Sequence, residues 1–166
     1  LAVIDGRSER IKWARTGPWV RQHEPQFLPN GEIAVFDNRP VANVEPWSKH
    51  KPRLASRILA VDPASGQVGV VYEGTDEHPF FSEKMGKHQY LPNANILVSE
   101  VEGGRVFEIT PAGKIVWSFV NRYDDDQVAV IEQAIRYPAE YAAFAAEPCP
   151  PDMVVGSPAP TAVASP

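Results

Sequence analysis

Arg105-Val106-Phe107-Glu108-Ile109-Thr110-Pro111-Ala112-Gly113-Lys114-Ile115-Val116-Trp117 holds two short β-branched runs on either side of a Pro-Ala-Gly turn. Proline presets φ for the start of such a turn and glycine supplies the positive φ that closes it, so the stretch reads as a β-hairpin. The same layout occurs twice more, in Arg57-Ile58-Leu59-Ala60-Val61-Asp62-Pro63-Ala64-Ser65-Gly66-Gln67-Val68 and in Leu1-Ala2-Val3-Ile4-Asp5 followed by Arg10-Ile11-Lys12-Trp13. A second unit repeats as well. Phe27-Leu28-Pro29-Asn30-Gly31-Glu32-Ile33-Ala34-Val35-Phe36 matches Tyr90-Leu91-Pro92-Asn93-Ala94-Asn95-Ile96-Leu97-Val98-Ser99, and each is a hairpin around a Pro-Asn turn. Two successive hairpins make a four-stranded meander, which is one blade of a β-propeller.

This order predicts an all-β fold, a partial β-propeller of about two and a half four-stranded blades. The outer half of one blade falls at 1–15, a full blade at 23–73 and another at 88–120. Turns are expected at 6–9, 29–31, 63–66, 92–94 and 111–113. Alternation places Ile58, Val61, Ile96, Val98, Val106, Ile109 and Val116 between blades and leaves Glu32, Gln67 and Lys114 wet. Trp13 and Trp117 occupy matching positions in two hairpins and should both pack between neighbouring blades. So few blades leave open sheet edges, and upstream blades or another protein chain are the expected partners that cover them. The start at Leu1, inside a strand-like run, suggests that chain lies upstream.

Outside the repeats the pattern changes. Asn38 to Ser56 reads as a surface loop inserted between the two hairpins of the second blade. The propeller region is taken as 1–120, followed by a helical extension over 121–146 and a tail over 147–166. One C-terminal helix is expected near 126–136, because Asp124-Asp125-Asp126 precedes Val128, Ile131 and Ile135 at helical spacing and Pro138 follows. The Asp run lacks the Gly and Glu spacing of a calcium loop and reads as a helix cap. The tail is rich in Pro, Ala and Ser without period and reads as disordered, with Cys149 a lone thiol in it.

The 166 residues carry a net charge of −5 with both signs well mixed. Without a Lys/Arg-rich run, a nucleic-acid partner is not expected. No apolar stretch approaches the roughly 18 residues of a membrane span. Zinc spacings, phosphate loops and nucleophile elbows are lacking, so no metal and no cofactor is expected.

Four histidines remain, of which two stand at matching places. His23 lies just before the first strand of one blade and His88 just before that of the next, though their offsets to Leu28 and Leu91 differ. Innermost strands line a propeller's channel, so both imidazoles are expected to face one polar cavity, with Asn38 or Arg105 nearby. Imidazole is a good nucleophile and a good general acid or base. The alternative is that each histidine satisfies buried backbone groups where a blade starts.

Gly17-Pro18-Trp19, Arg21-Gln22-His23-Glu24-Pro25, Phe27-Leu28-Pro29-Asn30-Gly31 and Val35-Phe36-Asp37-Asn38-Arg39 together resemble the arylsulfotransferase family of bacterial six-bladed propeller proteins. Glu77-His78-Pro79-Phe80, Gly86-Lys87-His88-Gln89 and Gly103-Gly104-Arg105-Val106-Phe107-Glu108 extend the resemblance, which runs to about residue 141. It covers the C-terminal part of the family's length. The downstream half, and Glu24-Pro25 after His23, are closer to a broad, poorly characterised branch than to the family's sulfotransferases. The resemblance implies a phenol-to-phenol sulfuryl transfer without a nucleotide sulfate donor. It matches His23 to the histidine that becomes transiently sulfated, and it puts the family's other catalytic His, Asn and Arg in earlier blades. Charge developing on the sulfate oxygens and the leaving phenolate calls for cations or N–H donors. Candidates are His88, Asn38 and Arg105 in the catalytic set, with Arg21 and Lys87 for substrate binding. The implied partners are a phenolic sulfate ester and an acceptor phenol, and the implied location is periplasmic or otherwise extracytoplasmic, with a membrane anchor upstream as one arrangement. A non-catalytic propeller serving as a structural or binding subunit of a larger assembly is the alternative.

Overall fold

A computed structural model describes residues 1–38 and 55–141. Most of the expected insertion, 39–54, and the tail with Cys149 lie outside the described residues. Residues Leu1–Arg136 form one compact unit. Residues 137–141 belong to a second, where the Tyr141 N–H closes a short turn on the Pro138 carbonyl at 3.0 Å.

Ten strands are formed among the described residues: β1 (Ala2–Ile4), β2 (Ile11–Ala14), β3 (His23–Phe27), β4 (Ile33–Asp37), β5 (Arg57–Val61), β6 (Val68–Glu73), β7 (Lys87–Tyr90), β8 (Ile96–Glu100), β9 (Arg105–Ile109) and β10 (Ile115–Val120). They make three antiparallel meanders: β1-β2, β3-β4-β5-β6 and β7-β8-β9-β10. This is the partial propeller that the repeats imply, half a blade and two whole ones. Each turn falls where the sequence puts proline or glycine. Gly113, for example, has φ +77° and its N–H returns to the Thr110 carbonyl at 2.8 Å.

Packing follows the alternation. The middle blade puts Ile33, Val35, Leu59 and Val61 on one face, against Val3 and Trp13 of the half blade. Its other face puts Phe36, Ile58 and Tyr72 against Ile96, Val98, Phe107 and Ile109 of the last blade, with Phe80 wedged between. Strands β4 and β8 are covered on both faces and are buried along their whole length. Each aliphatic or aromatic side chain so buried contributes about 1.5–3 kcal/mol. Lys114 and Gln67 are exposed, and Glu32 is half-buried.

Two expectations are corrected. The helix near 126–136 does not form. The Asp124 carboxylate takes the N–H groups of Asp126 and Gln127 at 2.9 and 2.7 Å, which makes a turn instead of a cap. The following donors then go to the last blade: Ala129 N–H to the Asn121 carbonyl, Ile131 to Val101, and Ala134 to the Ser99 hydroxyl. The segment is thus a strap across the blade, and Ile131 and Ala134 cover Leu91, Leu97 and Val106. Gly104 admits it, since a Cβ there would lie 2.4 Å from the Ala129 carbonyl oxygen. Apolar residues at helical spacing served an extended cover because the sheet offered better hydrogen-bond partners than the next turn of helix.

The second correction concerns Trp117 and Val116, which are 45 % and 49 % exposed. Trp117 pairs with Glu108 and Phe119 with Val106, so both stand on the face that carries Leu97, turned away from the middle blade. Trp13 packs on the following blade, whereas Trp117 has the Arg136 guanidinium of the strap 6.0 Å from its ring centre. The repeat positions match and the neighbours differ. Among the described residues no helix is long and apolar enough to cross a membrane.

Candidate active site

The site grows from an irregularity in β3. His23 pairs with Phe36 and Gln26 with Ala34, so the strand carries one extra residue around Glu24-Pro25. Glu24 has φ +47° and Pro25 has no N–H to lose, which suits a bulge. Such a bulge re-aims the side chain beside it. His23, half-buried, faces a recess of about 570 Å³ lined by Arg21, Gln22, Lys84 and Met85.

The imidazole is held from one side. Its Nδ1 lies 2.7 Å from Oδ1 of Asn38 and 2.9 Å from the Arg21 carbonyl. The Asn38 amide is oriented by its own partners, because Nδ2 donates to the carbonyls of Ser82 and Met85 at 2.8 and 2.7 Å. Its Oδ1 is therefore the acceptor toward His23. In the neutral ring, two oxygen acceptors at Nδ1 place the proton there and leave the lone pair on Nε2. Asn38 is fully buried, and so is its neighbour Asp37. Asp37 accepts the Val20 N–H at 2.8 Å and the Arg57 Nε–H at 3.1 Å. One end of β4 thus fixes two walls: Asp37 ties the 17–21 segment that leads to Arg21, and Asn38 ties the 82–86 loop.

Charge at the recess is positive. Arg21 is half-exposed and lies 3.3 Å from Glu83. Lys84 is exposed, and among the described residues its ammonium has no ion-pair partner. Gly86 lets the loop press on the core: it has φ +98°, and a Cβ would sit 2.4 Å from the Phe36 ring.

The other sequence candidates lie elsewhere. His88 does not share the recess of His23. It lines a separate recess of about 300 Å³ with Glu24, Gln26, Lys87 and Gln133. Lys87, at the place that pairs with Ser99, corresponds to His23, whose partner is Phe36; His88 pairs with Val98, one position further on. A shift of one residue along a strand turns the side chain to the other face. His88 is 5 % exposed, and among the described residues neither ring nitrogen has a hydrogen-bond partner. Burial pushes its pKa down from 6.5 to about 4, with the Glu24 carboxylate opposing. Lys87 pairs with Glu24 at 2.7 Å and ties β7 to β3. Arg105 donates to Glu100 and to the Pro79 carbonyl, each at 2.6 Å, and lies over the Phe107 ring. That places it in a cross-link within the last blade, away from His23.

The sequence carries little mark of Asp37, Ser82, Lys84 and Met85: Asp37 stands beside Asn38 in the Phe36-Asp37-Asn38 segment, and the 82–86 loop has no motif. Among the described residues no group of three or more His, Cys, Asp or Glu side chains could hold a metal ion.

Antiparallel four-stranded meanders of the propeller-blade kind define the class of fold. The arylsulfotransferase (ASST) family matches residues 1–122, and the chain belongs to that family. No curated protein and no solved structure matches it.

Proposed function

We propose that this protein transfers a sulfuryl group from an aryl sulfate to a phenol through a covalent intermediate on His23. The observation that carries the reading is the pair of oxygens on Nδ1, from Asn38 and Arg21, which leaves the lone pair on Nε2. Family membership supports the same chemistry.

The step balances as follows. The Nε2 lone pair attacks the sulfur of the ester, an N–S bond forms, the S–O bond to the aryl group breaks, and the donor leaves as phenolate. The sulfated ring is cationic, and its Nδ1–H rests on Asn38 and the Arg21 carbonyl, which stabilise that charge. The donor phenolate takes up a proton from water on release; the acceptor phenol then enters and gives its proton to water as its oxygen attacks the sulfur, and the S–N bond breaks to return the neutral imidazole. Net, one sulfate ester and one phenol exchange partners. Arg21 and Lys84 line the recess where the charged sulfate oxygens would sit.

The experiment is to mix the intact protein with an aryl sulfate without acceptor, quench, digest and weigh the peptides. The peptide that contains His23 should gain the mass of one SO3 group, and one phenol should be released per chain. Adding an acceptor phenol should give turnover, and His23→Ala should reduce it by at least about a thousand-fold. Transfer that persists in His23→Ala, or phenol release with the SO3 group on another residue, removes the assignment.

A further inference from the structure

The loop Ser82–Gly86 enters the recess from the connection between the two complete blades, and nothing in the repeat pattern requires it there. Its backbone is set by buried groups. Asn38 Nδ2 holds the carbonyls of Ser82 and Met85, the Ser56 hydroxyl donates to the Ser82 carbonyl at 3.1 Å, and the Ser82 hydroxyl donates to the Lys84 carbonyl at 2.7 Å. Met85 is held at φ +56°, where an L side chain is strained. Strain of this kind persists only where the surroundings impose it, and here they present two unlike side chains to one recess. Lys84 brings an ammonium without an ion-pair partner among the described residues, and Met85 a thioether that is 40 % exposed. Arg21, the other cation, is already shared with Glu83.

We infer that the Ser82–Gly86 loop is the donor-recognition element of this site: Lys84 contacts the anionic sulfate oxygens and Met85 packs on the aryl ring. This rests on the sulfuryl-transfer reading for the identity of the ligand. A cation and a soft apolar side chain on adjacent residues suit a molecule that is charged at one end and aromatic at the other. The same buried amide of Asn38 holds both the His23 ring and the loop, so nucleophile and recognition element are fixed to one another. Lys84 and Met85 are exposed, and replacing them leaves the core unchanged.

The test uses calorimetric titration of the intact protein carrying His23→Ala, which binds without turning over, with phenyl sulfate and with phenol as probes. Lys84→Met added to that background should weaken phenyl sulfate about ten-fold or more and leave phenol unchanged, and Lys84→Arg should restore most of the loss. Met85→Ser should weaken both probes alike, by about three- to five-fold. In the enzyme with His23 present, Lys84→Met should raise KM for the sulfate donor while KM for the acceptor phenol holds. Equal affinities in Lys84→Met and its parent, equal losses for both probes, or no binding of phenyl sulfate at all overturn the inference. Binding that depends on Lys84 in a protein that transfers no sulfuryl group would sustain the loop assignment and defeat the transfer reading instead.

Discussion

The two complete blades share one scaffold, and they part most clearly at the ends of their first two strands. In the middle blade Asp37 pairs with Arg57 across β4 and β5; in the last blade Glu100 pairs with Arg105 across β8 and β9, at the same register. Both pairs cross-link the same corner. One residue further on, the middle blade has Asn38 and the last has Val101, and both are fully buried. The first strand is bulged in one blade and regular in the other. A bulge turns His23 to the recess, and the regular strand turns His88 to the interior. A repeated fold therefore supplies the frame twice, while one extra residue and one buried amide give a single blade a presented imidazole.

The comparison is broken most directly by giving the middle blade the residue of the last. Asn38→Val leaves the Met85 carbonyl without its donor, the Ser82 carbonyl with the Ser56 hydroxyl alone, and Nδ1 of His23 without one of its acceptors. Stability should fall by about 1–3 kcal/mol from the Met85 carbonyl left unpaired and the hydrogen bond lost at Ser82. The kcat of transfer should fall about 10–100-fold, as expected for a positioning residue that orients the nucleophile without touching the substrate. Nitrogen NMR of the His23 ring gives a readout that loss of stability alone does not move: the native protein should show the proton on Nδ1, and Asn38→Val a mixture of tautomers. A variant with native kcat and the native tautomer would mean that Asn38 serves the fold alone.

His88 sharpens the contrast from the other side. Its folded-state pKa is about 4, below the ordinary 6.5 that it regains on unfolding. Between those values the unfolded chain binds a proton that the native chain refuses. Stability from this group is complete above pH 6.5 and falls as the pH drops toward 4, by up to about 3 kcal/mol. His88→Leu should flatten that part of the pH profile in urea titrations at pH 7 and pH 4.5. At pH 7 it should be neutral or stabilising, since leucine buries no unpaired nitrogen. An unchanged pH slope would show that His88 is solvated in solution, in a state open to its recess.

The repeats made the fold legible because turn chemistry is local. Pro111 and Gly113, or Pro29 and Gly31, fix a hairpin from neighbours in the chain. His23 was legible through its motif, and Asn38 with it. The separation of His23 from His88 was not, because a bulge at Glu24-Pro25 leaves almost no trace in hydrophobic pattern and yet changes the face. Arg105 looked available because a strand-edge arginine carries no mark of its partner; Glu100 and the Pro79 carbonyl meet it only in the folded blade. The strap was misread for a related reason. Val128, Ile131 and Ile135 have helical spacing, but Ser99, Val101 and Gln89 compete for the N–H groups of this segment, and that competition is tertiary.

Two tryptophans at one repeat position differ in what covers them. Trp13 packs on the buried cluster that contains Ile33, Val35, Leu59 and Val61, so Trp13→Ala uncovers part of that cluster and should cost about 3 kcal/mol, the low end for a large core residue because Trp13 itself is half-buried. Trp117 is 45 % exposed and has a guanidinium for company, so Trp117→Ala should cost about 1 kcal/mol or less, mostly a cation–π contact with Arg136. Urea midpoints of the two variants at one pH check the difference. Because the two residues sit at equivalent points of equivalent hairpins, intrinsic strand preference and tryptophan chemistry cancel between them. What remains is the worth of a neighbouring blade on that face. Equal costs would mean that the face bearing Trp117 and Phe119 is covered in solution as the face bearing Trp13 is covered here.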